Sequence, residues 1–518
     1  MNKSVTKILL LLIVFMALGL RIYKLDSVPP AISWDEAAVG YNAWTIANYG
    51  KDEYGKPFPL FFKSFGDDKH PVHIYSTAVF VKLLGLSEFS IRLPSAVFGT
   101  LNVLLIYFLT NLLFKNRKVS LIAAAFLAIS PQNIHFSRFN HEANFALFFF
   151  LLGLILFYMS LKKMMMLPLA TLSFAISFLT YHPSKVIVPF TMVVLFLLYS
   201  RTLFQAKMAL FFSLVIISLL ALLIFFTPPL LGLARINQTS IAKESSLLGK
   251  ITLYLTQYSW HFSPTYLFIS GDKNPRLSSQ TGEFYKIEAL FLILGFIYLI
   301  RNRSKGGILV LVWALISPIP SALVAEAPHA ARSIFMMGSW QIISALGLYS
   351  LVSAVRKKTF QRVTVFVVSA ILILSLFLYL KYYFGEYTKR YAIEWQYGMK
   401  QVVEFAKEHQ EYSHMFMTDI RSQPYIFFLY YLKVPLPEYL NTVVYNRSEE
   451  NKSYNTVSYF SRYYFGGWNP IDSSPDEGML YIITDSQYDG LKNKFKFDVK
   501  KIIYYPNGSL AFYLVSKK

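Results

Sequence analysis

The chain has 518 residues, of which 55% are hydrophobic, 17% aromatic and only 15% charged. This composition excludes an ordinary cytosolic protein and predicts a membrane protein. The formal net charge of +21 does not predict nucleic-acid binding, because the basic residues fall mostly between apolar stretches and not on one amphipathic face. Without cysteine, the chain forms neither a disulfide nor a thiolate metal site.

The first apolar run, about Ile8 to Leu20, follows Lys3 and Lys7. It is short enough to resemble the apolar region of a signal peptide, but no small-residue cleavage site follows it. We therefore predict an uncleaved first membrane span. Residues 24–74 then form a polar, aromatic loop.

An adjacent carboxylate pair, Asp35-Glu36, lies in this loop close to the predicted membrane surface. A charged group there has a cost in free energy, so its presence indicates a function. The spacing of Ser33 and Glu36 is that of a capping box, which predicts a helix through about Tyr49. Capping accounts for Glu36. Asp35 falls in the first helical turn, where the helix dipole also favours a carboxylate, so a structural and a functional role both stay open for it.

Ten further apolar segments are long enough to cross a bilayer, which gives eleven predicted spans with the first. They lie at about 92–114, 119–137, 142–161, 165–181, 184–200, 207–227, 286–300, 307–325, 330–354 and 363–383. A second amphipathic stretch, about Val72–Leu84, is predicted to lie along the interface. Alternate short loops carry Lys and Arg but no Asp or Glu, so the positive-inside rule places them and the N-terminus in the cytoplasm.

The opposite, external loops contain every motif whose residues are suited to binding or catalysis. These are Asp35-Glu36, Lys69-His70, Arg138 to Glu142, His182 with its neighbours, the long loop 228–285, and Glu326 to Arg332. Their common location on one membrane face predicts one external functional surface.

Several of these motifs also have purely structural interpretations. Lys69 beside His70 can meet a lipid phosphate at the interface, but it can also extend its amine to water from an apolar surface. Arg138 and Glu142 have i,i+4 spacing and form an ion pair if one helix contains both. His182 lies in a tight turn, where a histidine has either a structural role or contacts a substrate.

The last external motif contains Pro328, His329 and Arg332. Proline suits the first turn of a helix, so we expect Arg332 near a helix N-terminus. A helix N-terminus with an arginine and a histidine predicts a phosphate site. The alternative is that Arg332 forms an ion pair with Glu326 or Glu142.

Beyond about Tyr383 the sequence becomes mixed and polar, which predicts a membrane domain at 1–383 and a small soluble α/β or α+β domain at 384–518. The odd number of spans places this second domain outside the cell. Helical periodicity covers Trp395 to His409. Short strands are predicted at His414–Thr418, Leu480–Thr484, Lys501–Tyr505 and Leu510–Val515.

Taken in order, these motifs resemble the dolichyl-phosphate-mannose-protein mannosyltransferase-like family of bacterial glycosyltransferases, within the GT-C superfamily of integral membrane enzymes. The resemblance covers roughly residues 5–383. It rests on Asp35-Glu36, Lys69-His70-Pro71, Arg92-Leu93-Pro94-Ser95, Ser137-Arg138 to Glu142, and Pro328-His329-Ala330-Ala331-Arg332. Many relatives have Lys-Pro-Pro where this chain has Lys69-His70-Pro71, so a role for His70 does not follow from the family.

The resemblance implies an all-α GT-C bundle that transfers a sugar, with inversion, from a polyprenyl-phosphate donor to a protein, lipid or glycan acceptor. It implies a catalytic acidic pair at Asp35 and Glu36. We expect the donor phosphate or lipid near Lys69, His70, Arg138, His329 and Arg332, and substrate contacts at Glu142 and His182. Relatives often carry an acidic residue at the position of Glu142, sometimes implicated in metal binding. The use of a divalent metal ion therefore remains an open question, and no other cofactor is implied.

The residue types fit this chemistry independently, since a carboxylate can take the proton of an acceptor hydroxyl while cations stabilise the departing phosphate. No glycine-rich nucleotide loop is present, which favours a lipid-linked donor over a nucleotide sugar. The main alternatives are a polytopic transporter or flippase of lipid-linked saccharide, and a polysaccharide ligase. Transporters usually place polar residues at the bilayer midplane, whereas here they lie at one surface.

Overall fold

The computed structural model describes residues 2–65, 67–231, 246–324, 326–446, 455–468 and 475–518. Residues 232–245 of the predicted long external loop lie outside this described part. The chain forms two compact units. The first comprises Met1–Tyr23, His70–His73 and Leu93–Tyr382, and the second comprises Lys24–Lys69, Ile74–Arg92 and Tyr383–Lys518. The predicted soluble module, 384–518, falls within the second unit.

Helices account for nearly all regular structure before residue 385. In chain order they are α1 (Lys3–Ile22), α2 (Trp34–Tyr49), α3 (Pro71–Leu84), α4 (Glu88–Phe114), α5 (Arg117–Ile129), α6 (Pro131–Phe136), α7 (Glu142–Ser160), α8 (Leu167–Phe178), α9 (Ser184–Gln205), α10 (Lys207–Phe226), α11 (Leu247–Trp260), α12 (Glu288–Arg301), α13 (Lys305–Ile316), α14 (Ile319–Ala322), α15 (Met336–Ala354) and α16 (Lys358–Phe384).

Seven helical stretches in the described part of the chain are long and apolar enough to cross a membrane. They are Lys3–Ile22, Glu88–Phe114, Glu142–Ser160, Ser184–Gln205, Lys207–Phe226, Lys305–Ala322 and Lys358–Arg390. Each coincides with a predicted span. The protein is therefore a mostly helical membrane protein, with seven such stretches where eleven were predicted.

The other four predicted spans are shorter or interrupted. The 119–137 segment divides into α5 and α6, because the Ser130 side chain accepts the Asn133 N–H and Pro131 occupies the first turn of a new helix. Helices α8 and α12 have only 12 and 14 residues. Helix α15 begins later than predicted and has non-helical backbone at Met337 and Gly338.

The second unit contains α2, a short hairpin and a mixed seven-stranded sheet. The hairpin pairs β1 (Phe62–Ser64) with β2 (Asp67–Lys69). The later helices are α17 (Glu386–Arg390), α18 (Met399–Glu408), α19 (Tyr425–Leu432), α20 (Leu436–Thr442) and α21 (Asp485–Asp489). The later strands are β3 (His414–Thr418), β4 (Val444–Tyr445), β5 (Val457–Phe460), β6 (Tyr463–Gly466), β7 (Met479–Ile483), β8 (Phe497–Tyr504) and β9 (Leu510–Lys517).

The sheet has the order β4-β5-β6-β3-β7-β9-β8, in which β3 is parallel to both of its neighbours and the other pairs are antiparallel. All four predicted strands and the predicted helix are present, with small shifts at their ends. Strands β4 to β6 and helices α19 and α20 were not predicted.

Helix α2 is a central element of the second unit. Its Gly40 lies so close to α19 that an added Cβ would come within 2.6 Å of the Tyr430 ring. The Trp34 N–H donates to Gln396 at 2.9 Å, and the Tyr41 hydroxyl donates to the Val434 carbonyl at 2.9 Å. These contacts hold the first two turns of α2, and the acidic pair lies in the first of them.

Candidate functional site

The predicted capping box is present at the start of α2. The Ser33 hydroxyl accepts the Glu36 N–H at 3.2 Å, and the Glu36 carboxylate accepts the Ser33 N–H at 3.2 Å. Two backbone donors that helix geometry leaves without partners are thereby satisfied. The sequence interpretation of Glu36 as a cap is confirmed.

Glu36 also forms a fully buried ion pair with Arg92, which the sequence analysis did not predict. The two side chains are 0% exposed and are joined by hydrogen bonds of 2.9 and 3.1 Å. Arg92 donates in addition to the carbonyls of Leu25, Pro29 and Ala31. Because one guanidinium serves both the carboxylate and the preceding loop, Glu36 and Arg92 fix the path of the chain into α2.

Asp35, the adjacent residue, lies in a different environment. Its carboxylate is 2.8 Å from the Lys69 amine, and its side chain is 40% exposed while that of Lys69 is 15% exposed. Lys69 is held at the end of β2, where it pairs with Phe62. Of the two neighbouring carboxylates, Asp35 is therefore the one that solvent and ligands can reach.

In the first unit, two predicted site residues meet through Lys185, which belongs to the same external motif as His182 but was given no role of its own. The Lys185 amine is 3.1 Å from His70 Nε2 and 3.0 Å from His182 Nδ1, and the two imidazole rings are 4.4 Å apart. Burial, followed by the charge of Lys185, holds the pKa of His70 well below its usual value. The sequence signal for Lys185 is its position three residues after His182, which brings both to one end of α9.

Arg138 and Glu142 do not share one helix, so the condition for the helical ion pair between them is not met. Arg138 follows α6, and Glu142 begins α7. The buried Arg138 guanidinium donates to the carbonyls of Leu20, Arg21 and Tyr23. These carbonyls lie at the C-terminal end of α1, where a cation is favourable. Glu142 lies 3.8 Å from the neighbouring His141 ring.

The expected helix at Pro328 is also absent, so Arg332 does not lie at a helix N-terminus. Residues 330–335 form turns, and α15 begins only at Met336. The two backbone N–H groups that would open such a helix are already bound: Ser321 accepts the His329 N–H at 3.0 Å, and Asp272 accepts the Ala330 N–H at 2.7 Å, so neither is available to an anion. The dipole argument for a phosphate site therefore fails, while the His329 and Arg332 side chains remain candidates.

Arg332 is paired with Glu326 in the way that the alternative interpretation expected. The two charged groups are 3.7 Å apart, with side chains that are 12% and 73% exposed. An ion pair with one strongly exposed partner contributes little, about 0–1 kcal/mol. The His329 ring accepts the Arg332 N–H at 3.3 Å, so these two side chains belong to one turn.

In the described part of the chain, no group of three or more His, Asp or Glu side chains is arranged to hold a metal ion. Glu142 is the residue for which metal binding remained an open question. Its carboxylate lies within salt-bridge distance of the His141 ring.

Comparison with known proteins gives one family match and several matches in fold. Residues 68–229 match the dolichyl-phosphate-mannose-protein mannosyltransferase family. No curated protein matches the chain at a significant level.

The structure resembles ArnT from Cupriavidus metallidurans in the apo state, with a TM-score of 0.58, 13% identity, and coverage of 99% of this chain and 98% of ArnT. ArnT bound to undecaprenyl phosphate matches with a TM-score of 0.55, 13% identity, and coverage of 99% and 97%.

The archaeal oligosaccharyltransferase AglB from Archaeoglobus fulgidus, in complex with an inhibitory peptide and a dolichol-phosphate, matches with a TM-score of 0.52 and 15% identity over 83% of this chain. This chain spans only 64% of the length of that protein. The resemblance predicted from the sequence motifs is confirmed by the family match and by these shared folds. Residues 68–229 match the dolichyl-phosphate-mannose-protein mannosyltransferase family, and the chain as a whole shares the fold of ArnT.

Proposed function

We propose that the protein transfers a sugar from a polyprenyl-phosphate donor to an acceptor hydroxyl, with Asp35 as the general base. The observation that carries this proposal is the unequal use of the acidic pair: Glu36 is completely buried against Arg92, whereas Asp35 is 40% exposed beside Lys69. If the acidic pair only anchored the helix, the buried Glu36–Arg92 ion pair would be sufficient, and Asp35 would not need to be accessible. The family match and the lipid phosphates bound to ArnT and AglB support the donor class.

In the proposed reaction, Asp35 accepts the proton of the acceptor hydroxyl as its oxygen attacks the anomeric carbon of the sugar. A new glycosidic bond forms on the face opposite the leaving group, which gives inversion. The bond between the anomeric carbon and the phosphate oxygen breaks, and polyprenyl phosphate departs with the electron pair. General-base assistance of this kind contributes about 10²–10⁴-fold.

Cations stabilise the negative charge that develops on the departing phosphate. We assign this role to Lys69 and Arg332, with His70, Arg138 and His329 as further candidates for donor binding. Among the two arginines, Arg332 is favoured because its side chain is partly exposed, whereas the Arg138 guanidinium is buried against the end of α1.

Glu142 and His182 remain candidates for contacts with the sugar or acceptor. We also infer that the motif-bearing loops and residues 384–518 are external, with the N-terminus in the cytoplasm, from the distribution of Lys and Arg in the short loops.

The orientation is tested by labelling Lys494 in sealed cells. Its amine is partly exposed, with 43% of the side chain accessible, so a membrane-impermeant amine reagent should reach it from outside. A variant with Lys494→Arg, which keeps the charge but does not react, controls for labelling of other lysines. If Lys494 is labelled only after the membrane is opened, residues 384–518 lie on the cytoplasmic side and the proposed orientation is wrong.

The reaction class is tested with purified protein, a polyprenyl-phosphate sugar and an acceptor extract. Release of polyprenyl phosphate that depends on both protein and acceptor is the expected result. The matched comparison replaces the lipid-linked donor by nucleotide sugars. Transfer from a nucleotide sugar, with none from any lipid-linked donor, would overturn the proposal.

A further inference from the structure

The turn segment 327–335, which carries His329 and Arg332, is held by three side chains from outside it, two of which lie 58 and 67 positions before the residues they bind. Ser321 accepts the His329 N–H at 3.0 Å, and Asp272 accepts the Ala330 N–H at 2.7 Å. Near the end of the segment, the Ser333 hydroxyl is 2.9 Å from the Tyr266 hydroxyl. Three anchors over five residues define the backbone from which the Arg332 side chain extends.

The first anchor is itself fixed by a buried histidine. His261 Nε2 is 2.7 Å from the Ser321 hydroxyl, and His261 Nδ1 is 2.9 Å from the Gln257 carbonyl. Burial lowers the pKa of His261 to about 4, so the ring is neutral near pH 7. A neutral ring that donates from Nδ1 to a carbonyl must accept at Nε2. The Ser321 hydroxyl then donates to His261, which leaves its oxygen to accept the His329 N–H.

Asp272 provides the second anchor, at Ala330. One carboxylate oxygen accepts the Asn274 N–H at 2.8 Å, and the other accepts the Ala330 N–H. The residue is only 4% exposed. Since each oxygen has a defined backbone donor, the carboxylate cannot rotate without losing a hydrogen bond in a buried site, which costs about 1–3 kcal/mol.

The charges around Asp272 are few and identifiable. Burial raises the pKa of Asp272 to about 6, while its backbone hydrogen bonds and the Arg332 guanidinium act in the opposite direction. The charge of Glu326 also raises the pKa of Asp272, and burial, followed by the charge of Asp272, raises the pKa of Glu283 well above its usual value. Near pH 7 the Asp272 carboxylate is therefore mostly ionised and supplies an opposite charge to Arg332.

We propose that Asp272 is a positioning residue for donor binding: it holds the 327–335 segment so that Arg332 is presented to the donor phosphate. This inference rests on the proposed phosphate role of Arg332 and adds a residue that the motif analysis did not single out. Asp272 acts through Arg332 and does not contact the reacting atoms. Its loss therefore raises the donor KM much more than it changes kcat.

The test compares three variants with undecaprenyl phosphate as the probe, using the shift in melting temperature to obtain affinity. Asp272→Asn loses one of the two acceptor oxygens and should bind the probe about tenfold more weakly. Glu326→Gln is the matched control, because it removes a carboxylate that also faces Arg332 but is mostly exposed; its affinity should stay within about twofold of the wild type. Wild-type affinity in Asp272→Asn would overturn the proposal.

Arg332→Ala separates this inference from the function on which it rests. If Arg332→Ala binds the probe as the wild type does, the phosphate role of Arg332 itself is wrong. If Arg332→Ala loses binding while Asp272→Asn keeps it, only the positioning role is wrong.

The pH dependence of the donor KM provides a second test, because a purely structural role of Asp272 would not change it. This test uses the wild-type protein, so it still applies if Asp272→Asn does not fold. A polyprenyl-phosphate sugar is a phosphodiester, so its charge is constant between about pH 5 and 8. The wild-type donor KM should rise as pH falls through about 6, because protonation removes the charge and one acceptor of Asp272. In folded Asp272→Asn this rise should disappear. A wild-type donor KM that is flat over this range would overturn the proposal.

Discussion

The start of α2 and the 327–335 segment present candidate functional side chains by different means. At the start of α2, Glu36 is bound locally by Ser33 and buried against Arg92, and the accessible residue is its neighbour Asp35. In the 327–335 segment two of the three anchors come from distant positions, since Asp272 lies 58 positions before Ala330 and Tyr266 lies 67 positions before Ser333. In both regions a buried carboxylate binds the backbone that carries the candidate residue, so we expect burial to distinguish positioning groups from reacting groups.

The largest expected effect comes from breaking the buried anchor of α2. Arg92→Met leaves the Glu36 carboxylate buried without its partner, and loss of one member of a buried pair costs about 3–5 kcal/mol. We expect a large fall in melting temperature in detergent, or failure to accumulate folded protein.

The double variant Arg92→Met with Glu36→Gln is the control, since it removes both charges. It should recover part of the lost stability, because no uncompensated charge stays buried. A melting temperature of Arg92→Met within about 2 °C of the wild type would show that the ion pair does not anchor α2.

A smaller effect on stability is expected from a third buried carboxylate, Glu53, which connects α2 and α19 through hydrogen bonds. It accepts hydrogen bonds from Asn42 at 3.2 Å and from the Tyr425 hydroxyl at 3.3 Å. Burial, and then the nearby Asp52, raise the pKa of Glu53 to about 8. The folded state thus binds more protons than the unfolded state between about pH 4.5 and 8, so the contribution of Glu53 to stability falls as pH rises through this window.

Glu53→Gln removes this titration while keeping the size of the side chain. Its melting temperature should exceed that of the wild type at pH 8 and above, and the difference should shrink as the pH is lowered toward about 5. Equal pH dependence of the two proteins would contradict the assignment to Glu53.

The elements that were predicted correctly depend on local interactions. The capping box needs only residues 33 to 36, and strand β3 follows from five consecutive residues, His414–Thr418. Seven predicted spans coincide with long apolar helices for the same reason, since length and hydropathy are properties of a single segment.

The failures arise where distant groups decide the structure. Pro328 suits a helix start, but residues 330–335 form turns, and Asp272, 58 positions before Ala330, occupies a backbone donor that the phosphate prediction needed. The partner of Glu36, Arg92, lies 56 residues away and has no local signal. Strands β4 to β6 are two to four residues long and exist only through pairing, so their sequences show too few positions for a period to be recognised.

The smallest expected effect on stability comes from Lys69, which pairs with the accessible carboxylate. An ion pair with a substantially exposed partner contributes about 0–1 kcal/mol, so Lys69→Gln should melt within about 2 °C of the wild type. Its transfer rate should nevertheless fall about tenfold or more, because Asp35 loses the group that orients it and the phosphate loses a cation. Parallel losses of stability and activity would assign Lys69 a structural role.

The central claim is that Asp35, and not its neighbour Glu36, takes the acceptor proton. The most direct measurement is the single-turnover rate of sugar transfer per folded protein in Asp35→Asn and Glu36→Gln, two substitutions of equal chemistry at adjacent positions. We predict that Asp35→Asn melts like the wild type but transfers about 10²–10⁴-fold more slowly. Glu36→Gln should melt at a lower temperature and, in its folded fraction, transfer at nearly the wild-type rate. A wild-type rate in Asp35→Asn would contradict the account.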